Sequence, residues 1–179
     1  GDHKQLPAVV LQRKEESEVF DEGLRKIGLH NLKDSLFERL YRNHLSEKDS
    51  LALDMLCRQG RMHPGVASFP NQAFYGGKLE PVGLSHQLEE IRMPVVFLPS
   101  TRDTSSLNGK TNADEARMVA DWAERIYQES PETFDANRTL GVITPYRSQI
   151  AMIRKELQSK GIPALMDVSV DTVERYQGS

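Results

Sequence analysis

Short apolar runs alternate with stretches of helical periodicity along the second half of the chain. Three runs are almost continuous in apolar character, which is typical of strands buried on both faces: Pro94–Leu98, Thr139–Ile143 and Leu165–Val170. Between them, Asn112–Tyr127 and Ser148–Lys160 carry apolar residues at helical spacings, which predicts helices. This order predicts an α/β fold in which helices flank a parallel sheet and right-handed crossovers join the strands.

The first half of the chain is less regular. The run Leu51–Cys57 is interpreted as a short buried strand, with a helical turn as the alternative. Residues 1–28 lack periodicity and form a connecting segment, and the polar residues after Leu79 are interpreted as a surface loop. One helix is predicted to end near residues 43–44, with an apolar face that packs into the core and consists of Leu32, Leu36, Phe37, Leu40 and Tyr41.

Polar residues at the helix ends have a structural interpretation. Asn112 and Glu115 have the spacing of a capping box, in which the first residue caps the helix and the second lies three positions inside it. Gly161 and Pro163 are typical of the end of a helix. We therefore assign no chemistry to either pair.

Composition limits the classes of protein. The chain has 179 residues, of which 38% are hydrophobic and 27% charged, which fits one globular domain with its own core. The net charge of −3 gives no overall attraction for nucleic acid, so any surface that binds nucleic acid must be a local patch.

Cys57 is the sole cysteine and the five histidines are scattered, so we predict no disulfide and no metal site. We therefore favour a reducing, cytoplasmic setting. No apolar run approaches the roughly 18 residues of a membrane helix.

One basic residue stands at a defined backbone corner. Arg61 lies two residues before His63-Pro64, where proline fixes its own φ and disfavours the helical region for its predecessor. A long side chain that leaves such a corner can be aimed at a partner. The alternative is that Arg61 pairs with a nearby carboxylate and only stabilises the corner.

The surrounding stretch, Arg58–Leu79, contains Arg-Met-His-Pro, Phe-Pro, Phe-Tyr and Gly-Lys-Leu in that order. It resembles a signature of superfamily-1 helicases, in the branch that includes the nonsense-mediated-decay helicase. Further segments resemble other helicase motifs: Gly1–Pro7 is similar to motif III, Thr144–Gln149 to motif IV and Asp171–Gly178 to the start of motif V. The resemblance therefore extends over the whole chain.

The resemblance implies the second RecA-like lobe, that is, the C-terminal lobe of a longer P-loop NTPase. The sequence lacks a Walker phosphate loop, so ATP and Mg²⁺ would be bound mainly by the first lobe. Gln5 and Arg61 take the catalytic positions, with Gln5 as a γ-phosphate sensor and Arg61 as an arginine finger. Without the resemblance to this family, Gln5 would be interpreted as part of a frayed terminus. Gln177 and Gly178 are the other nucleotide-binding candidates.

The sequence departs from the family at Gly60. Relatives usually carry a tyrosine there, whose ring stacks on adenine, so we expect looser nucleobase selectivity or a stacking residue elsewhere. Because the fragment would hold only half of the ATP site, we expect it to be inactive alone.

The loops that follow the predicted strands would meet at one edge of the sheet, where ligands of α/β proteins bind. These are residues 100–102, 144–149 and 172–177. Hydroxyls, rings and guanidinium groups suit a single-stranded phosphate backbone, and the candidates are Thr144, Tyr146, Arg147, Gln149, Thr172 and Arg175.

Other interpretations remain open. Tyr146 and Tyr176 are as well explained by packing at the rim of the core. The partner could be DNA or RNA, with DNA somewhat favoured. The alternatives to a motor domain are a stand-alone module that binds nucleic acid or protein, and an α/β domain that binds a small molecule.

Overall fold

The structure is a computed structural model that describes residues 2–6, 10–47, 53–106 and 109–177. Backbone contacts divide the chain into two compact units, Gly1–Phe97 and Leu98–Ser179, and each is described by itself.

The first unit combines short helices with a small parallel ladder. In it, β1 (Arg58–Gln59) pairs in parallel with β2 (Glu80–Pro81), so Arg58 lies opposite Glu80. The helices are α1 (Lys14–Ser17), α2 (Glu22–Lys26), α3 (Leu36–Glu47), α4 (Pro64–Tyr75) and α5 (Ser85–Leu88).

Helix α4 begins at the corner that the sequence predicted. The His63 side chain caps it by accepting a hydrogen bond from Gly65 N, and Pro64 is its first residue. The helix ends at Gly76, whose left-handed φ of 60° suits glycine. Helix α4 is capped at both ends and continues through Pro70 despite the missing N–H.

The apolar face predicted for α3 is not buried. The helix starts later than expected, so Leu32 precedes it, and Leu36 and Leu40 are 61% and 47% exposed. Its aromatic end contacts His3, whose ring centroid lies 4.4 Å from that of Tyr41. A helix face is buried only where another element covers it, and in this unit the segment around His3 covers one end of α3.

The buried strand predicted at Leu51–Cys57 is also wrong in its described part. Leu51 and Ala52 lie outside the described residues, and residues 53–57 form no strand. Leu56 is 93% exposed, and the ladder begins only at Arg58.

The second unit has the predicted alternation of helices and parallel strands. Strands β3 and β4 pair in parallel, with Val142 opposite Val170 and Thr144 opposite Thr172. The elements are α6 (Ala113–Glu129), β3 (Gly141–Thr144), α7 (Arg147–Ser159), α8 (Pro163–Met166), β4 (Ser169–Thr172) and α9 (Val173–Tyr176). The core contains Ala116, Ala120, Ala123, Val142, Ile153, Leu157, Leu165, Val168 and Val170.

The strand predicted at Pro94–Leu98 is absent. Val95 and Phe97 are 66% and 86% exposed, and these residues make no backbone hydrogen bond to the described part of the chain. Apolar character indicates burial only where a neighbouring strand supplies a ladder, and this segment spans the boundary between the units. The first residues of the run Leu165–Val170 belong to α8 instead, although Leu165 is fully buried as expected.

Among the residues that the structure describes, no helix combines the length and the apolar character that a membrane span needs.

Candidate functional site

Residues 59–62, here called the Arg61 loop, connect β1 to the cap of α4. The side-chain amide of Gln59 closes this loop: its Nε2 donates to Met62 O and its Oε1 accepts from Met62 N, both at 2.8 Å. His63 follows, and because its Nδ1 accepts from Gly65 N, the proton of the neutral ring is on Nε2. That Nε2 lies 3.0 Å from Glu89 O. The backbone on both sides of Arg61 is therefore fixed by side-chain hydrogen bonds.

Arg61 itself is exposed at the tip of this loop. Within the described ranges, its guanidinium makes no ion pair and no hydrogen bond. The local carboxylate pair, which the sequence left open as an alternative, does not form there. Arg61 is thus a cation on a rigid corner that is available to an anion.

Gly60, next to Arg61, has little free space around it. A Cβ added at this position would lie 3.3 Å from Leu84 Cδ1 and 3.3 Å from Val82 Cγ2, which is tight contact. The space beside Gly60 is taken by apolar side chains that precede α5, so a larger residue requires them to move.

Gln5 lies in a network with the end of α4. Its Nε2 donates to Asp2 Oδ2 at 2.9 Å, and the Tyr75 hydroxyl donates to the same oxygen at 2.7 Å. Tyr75 is the last residue of α4, whereas Arg61 precedes the first residue of that helix. No hydrogen bond joins Gln5 to Arg61, and the structure connects them through α4 rather than bringing them together.

This network changes the acidity of both partners. Partial burial raises the pKa of Asp2, but hydrogen bonds from Tyr75, Lys4 N and Gln5 outweigh it, and the pKa lies below its usual 3.8. The hydrogen bond to Asp2, followed by burial, raises the pKa of Tyr75 above 10.0. The network therefore favours a charged Asp2 and a neutral Tyr75.

The second unit brings two of the predicted loops to one sheet edge, here called the carboxyl edge and formed by the ends of β3 and β4. Thr144 and Thr172 are the last residues of these strands and lie opposite each other. Both side chains are buried, at 5% and 7% exposure, so the pair supports the edge from inside.

A shallow groove of about 460 Å³ lies beside this edge, between α7 and the start of α9. It is lined by Arg147, Arg154 and Arg175 together with Asp171. Arg154 Nη2 donates to Val170 O at 3.4 Å, and Arg175 Nε lies 3.4 Å from Asp171 Oδ2. The guanidinium groups exceed the one carboxylate that lines the groove, so its charge suits an anion.

The carboxylates at this edge stay ionised. The backbone N–H of Thr172, followed by Arg175 and Arg154, lowers the pKa of Asp171 from 3.8. The backbone N–H of Glu174 and the Thr172 hydroxyl lower the pKa of Glu174 from 4.5, with a smaller effect from Arg147. The edge is a mixed surface of opposite charges with guanidinium groups in excess.

Gln149 does not face the groove. Its side chain is 5% exposed, its Nε2 donates to Asn112 O and its Oε1 accepts from Asn112 N, both at 2.8 Å. The amide therefore joins the first turn of α7 to the cap of α6. Asn112 caps α6 as expected, by accepting from Asp114 N and Glu115 N. Glu115 does not close the capping box, because Gln149 occupies Asn112 N and Glu115 accepts from Ser100 Oγ.

The remaining candidates differ in exposure. Tyr146 is 45% exposed and directly precedes α7. Tyr176 packs across the start of β3, and its hydroxyl donates to Ser169 O at 2.9 Å, which supports the packing interpretation for this ring. Gln177 is exposed after α9, and Gly178 lies outside the described residues.

Comparisons with known proteins agree with the motifs. A sequence profile of an AAA domain matches residues 32–179. This chain belongs to that AAA domain family.

Several similar proteins are named as helicases, and one of them, the helicase sen1 of Schizosaccharomyces pombe, is 27% identical over 99% of the chain. The 3'-5' exoribonuclease HELZ2 of Homo sapiens is 32% identical over the full chain. An ATP-dependent helicase of Methanocaldococcus jannaschii is 26% identical over 99% of it.

The resemblance to superfamily-1 helicases is thereby confirmed. The chain spans 10% of the S. pombe helicase, 6% of the human protein and 25% of the archaeal helicase. The relatives are therefore much longer than the region compared.

Membership of the helicase superfamily implies ATP and Mg²⁺ as ligands. The described residues fit a phosphate better than they fit a metal ion. The free guanidinium of Arg61 fits a phosphate. No group of three or more His, Cys, Asp or Glu side chains in the described part of the chain is arranged to hold a metal ion.

Sequence reasoning missed one residue of the site. Gln87 is 3% exposed and contacts the Arg61 loop, although its segment was interpreted as a surface loop. A single glutamine in a polar stretch leaves no periodic signal, so no pattern in the sequence could have identified it.

Proposed function

We propose that the chain is the second RecA-like lobe of an ATP-dependent superfamily-1 helicase and that Arg61 is its arginine finger. The supporting observation is the exposed guanidinium of Arg61, unpaired within the described residues, on a loop closed by the amide of Gln59. A guanidinium that has no internal partner need not break an ion pair before it binds an external phosphate. A fixed backbone reduces the entropy lost when it binds there.

Arg61 would act by electrostatics alone. In phosphoryl transfer, negative charge spreads over the transferred group, and a planar cation contributed from the opposite lobe stabilises it without a proton transfer. The first lobe would bind the nucleotide and Mg²⁺. Arg61 would therefore affect turnover more strongly than nucleotide affinity.

Gln5 would respond to the nucleotide from the other end of α4. Its amide retains an acceptor oxygen after Nε2 has donated to Asp2, and Asp2 is joined to the helix through Tyr75. A displacement of Gln5 on γ-phosphate binding would thus act on α4, and α4 begins beside the Arg61 loop. Gln177 and Gly178 are proposed as further contacts to the nucleotide.

The carboxyl edge would contact the single strand. Arg147 and Arg175 present exposed guanidinium groups that suit phosphates, and the half-exposed ring of Tyr146 suits a base. Thr144 and Thr172 are buried, so we propose that they act by shaping the edge. Gln149, which is committed to Asn112, is not proposed as a contact.

The test compares the isolated 179-residue chain with the full-length protein. We expect nucleic-acid-stimulated ATP hydrolysis by the full-length protein and none by the isolated chain. Turnover by the isolated chain would contradict the two-lobe assignment. Binding of single strands by the isolated chain should be weak and salt-sensitive, because half a groove makes few phosphate contacts. Tight, salt-resistant binding would support a stand-alone module instead.

A further inference from the structure

The side-chain amide of Gln87 is fully used inside the first unit. Its Nε2 donates to Gln59 O and to Met62 O, each at 3.0 Å. Its Oε1 accepts from Gly83 N at 3.1 Å and from Leu84 N at 3.2 Å. A primary amide has two N–H donors and an oxygen that accepts two hydrogen bonds. Both donors and both acceptor positions of the Gln87 amide therefore have hydrogen-bond partners, although the residue is only 3% exposed.

The two carbonyls that Gln87 holds are the first and last of the Arg61 loop. Gln59 and Met62 are also joined to each other by the Gln59 amide. Between them, the carbonyl of Gly60 lies 3.1 Å from Nε2 of His86, the neighbour of Gln87. Short helix α5 thus contacts three carbonyls of the loop, two before Arg61 and one after it.

This arrangement leaves the side chain of Arg61 free while its backbone is fixed. Burying a polar amide is costly unless every hydrogen bond is made, and an apolar residue of similar size would fill the same space without that requirement. The hydrogen bonds of Gln87 specify one loop conformation, which an apolar side chain cannot do. Small displacements of a group that stabilises a transition state reduce rates strongly.

We propose that Gln87 is a positioning residue for Arg61, with His86 as a second support of the same loop. This inference rests on the proposed function of Arg61. Gln87 does not touch the nucleotide, and it acts by holding the carbonyls of Gln59 and Met62.

The test is a double-mutant cycle in the full-length protein, with ATP turnover stimulated by single strands. Gln87→Met preserves length and removes every hydrogen bond. We expect kcat to fall by about 10-fold while KM for ATP stays unchanged, because a displaced guanidinium loses transition-state contacts first. In an Arg61→Ala background, the same change should lower kcat no further, since the group that it positions is gone.

Two further variants control for folding. Gln72→Met makes the same chemical change on the exposed side of α4 and should leave kcat as in the wild type. His86→Ala removes the contact to Gly60 O from an exposed position, so it tests the loop even if Gln87→Met does not fold. It should lower kcat by several-fold and show the same lack of additivity with Arg61→Ala.

The outcomes separate the two proposals. If Arg61→Ala leaves kcat unchanged, the finger assignment itself fails. If Arg61→Ala lowers kcat but the Gln87 and His86 variants do not, the proposal that α5 positions Arg61 is contradicted. The assignment of Arg61 as the arginine finger is then unaffected. Positioning is also contradicted if either change lowers kcat by the same factor with and without Arg61, because the loss would then be a general effect on folding.

Discussion

The hydroxyl of Tyr75 donates a hydrogen bond to Asp2 Oδ2 across 2.7 Å, and it joins the last residue of α4 to a residue 73 positions earlier. Gln5 shares the same carboxylate oxygen. The segment that resembles motif III is thus tied to the helix that follows the Arg61 loop. This contact makes the stability of the first unit dependent on pH.

Tyr75→Phe should destabilise the chain near neutral pH and lose this effect in acid. The pKa of Asp2 is lowered in the folded state, so its contribution is present above 3.8 and is lost as pH falls through the lowered pKa. The pKa of Tyr75 is raised, so its contribution is lost in alkali, as pH rises past 10.0 through the raised pKa. Melting temperatures of wild type and Tyr75→Phe across pH would show both changes.

Tyr41→Phe is the matched control for that measurement. Its ring packs beside His3, and its hydroxyl has no hydrogen-bond partner within the described ranges. Its melting temperature should differ little from wild type at any pH. A Tyr75→Phe deficit that persists unchanged well below pH 3.8 would show that the lost contact is not to a carboxylate.

Gln149→Leu should destabilise the second unit without changing strand binding per folded molecule. The substitution leaves Asn112 N without a partner in a part-buried position, at a cost of about 1–3 kcal/mol, whereas Asn112 O keeps its hydrogen bond from Ala116 N. The free energy of unfolding in urea measures this effect, and Gln158→Leu, on an exposed position of α7, is the control. Reduced single-strand affinity at unchanged stability would mean that Gln149 contacts the strand.

Leu165→Ala should lower the free energy of unfolding more than the substitution of any exposed residue in α8. Leu165 is fully buried in the core, so its truncation leaves a cavity and costs about 2–5 kcal/mol. Met166→Ala, next to it and 52% exposed, should change stability by less than about 0.5 kcal/mol. Equal losses from the two variants in urea unfolding would contradict the placement of α8.

Gly60→Tyr should tighten the binding of adenine nucleotides to the full-length protein, because an aromatic ring at this position would stack on the base, as the helicase resemblance implies. Leu84 and Val82 must move by a few tenths of an ångström to admit the new Cβ, so a modest loss of melting temperature should accompany it. Gly60→Ala separates the two effects, because it needs the same movement and adds no ring. Unchanged affinity in a folded Gly60→Tyr protein would show that this loop does not face the base.

The sequence predicted helices α6 and α7 well, because both are long, periodic and begin at recognisable boundaries such as the Asn112 cap. It failed for Pro94–Leu98 and for the face of α3. In both cases apolar side chains require a partner element, and the periodicity of a segment carries no information about that partner. Exposure of Phe97 and Leu36 is a property of long-range packing.

The residues of the candidate site also fall into those that local sequence could predict and those that depend on long-range packing. The corner at Arg61 was predictable because His63-Pro64 restricts the backbone locally. The burial of Gln149 and Gln87 was not, because a glutamine that joins two backbone segments looks the same in sequence as a solvated one. Thr144 and Thr172 were expected at one edge, and the parallel register places them there, although both are buried.

The central claim is tested most directly by ATP turnover of Arg61→Ala in the full-length protein, measured beside its melting temperature. Arg58→Ala is the matched control, since it removes the same charge from an exposed position in β1. We predict that Arg61→Ala lowers kcat by about 10³-fold, the low end of arginine-finger effects, with melting temperature and single-strand affinity unchanged. Arg61→Lys should recover little, because an ammonium lacks the planar fork. A destabilised Arg61→Ala protein that turns over at the wild-type rate per folded molecule would contradict the account.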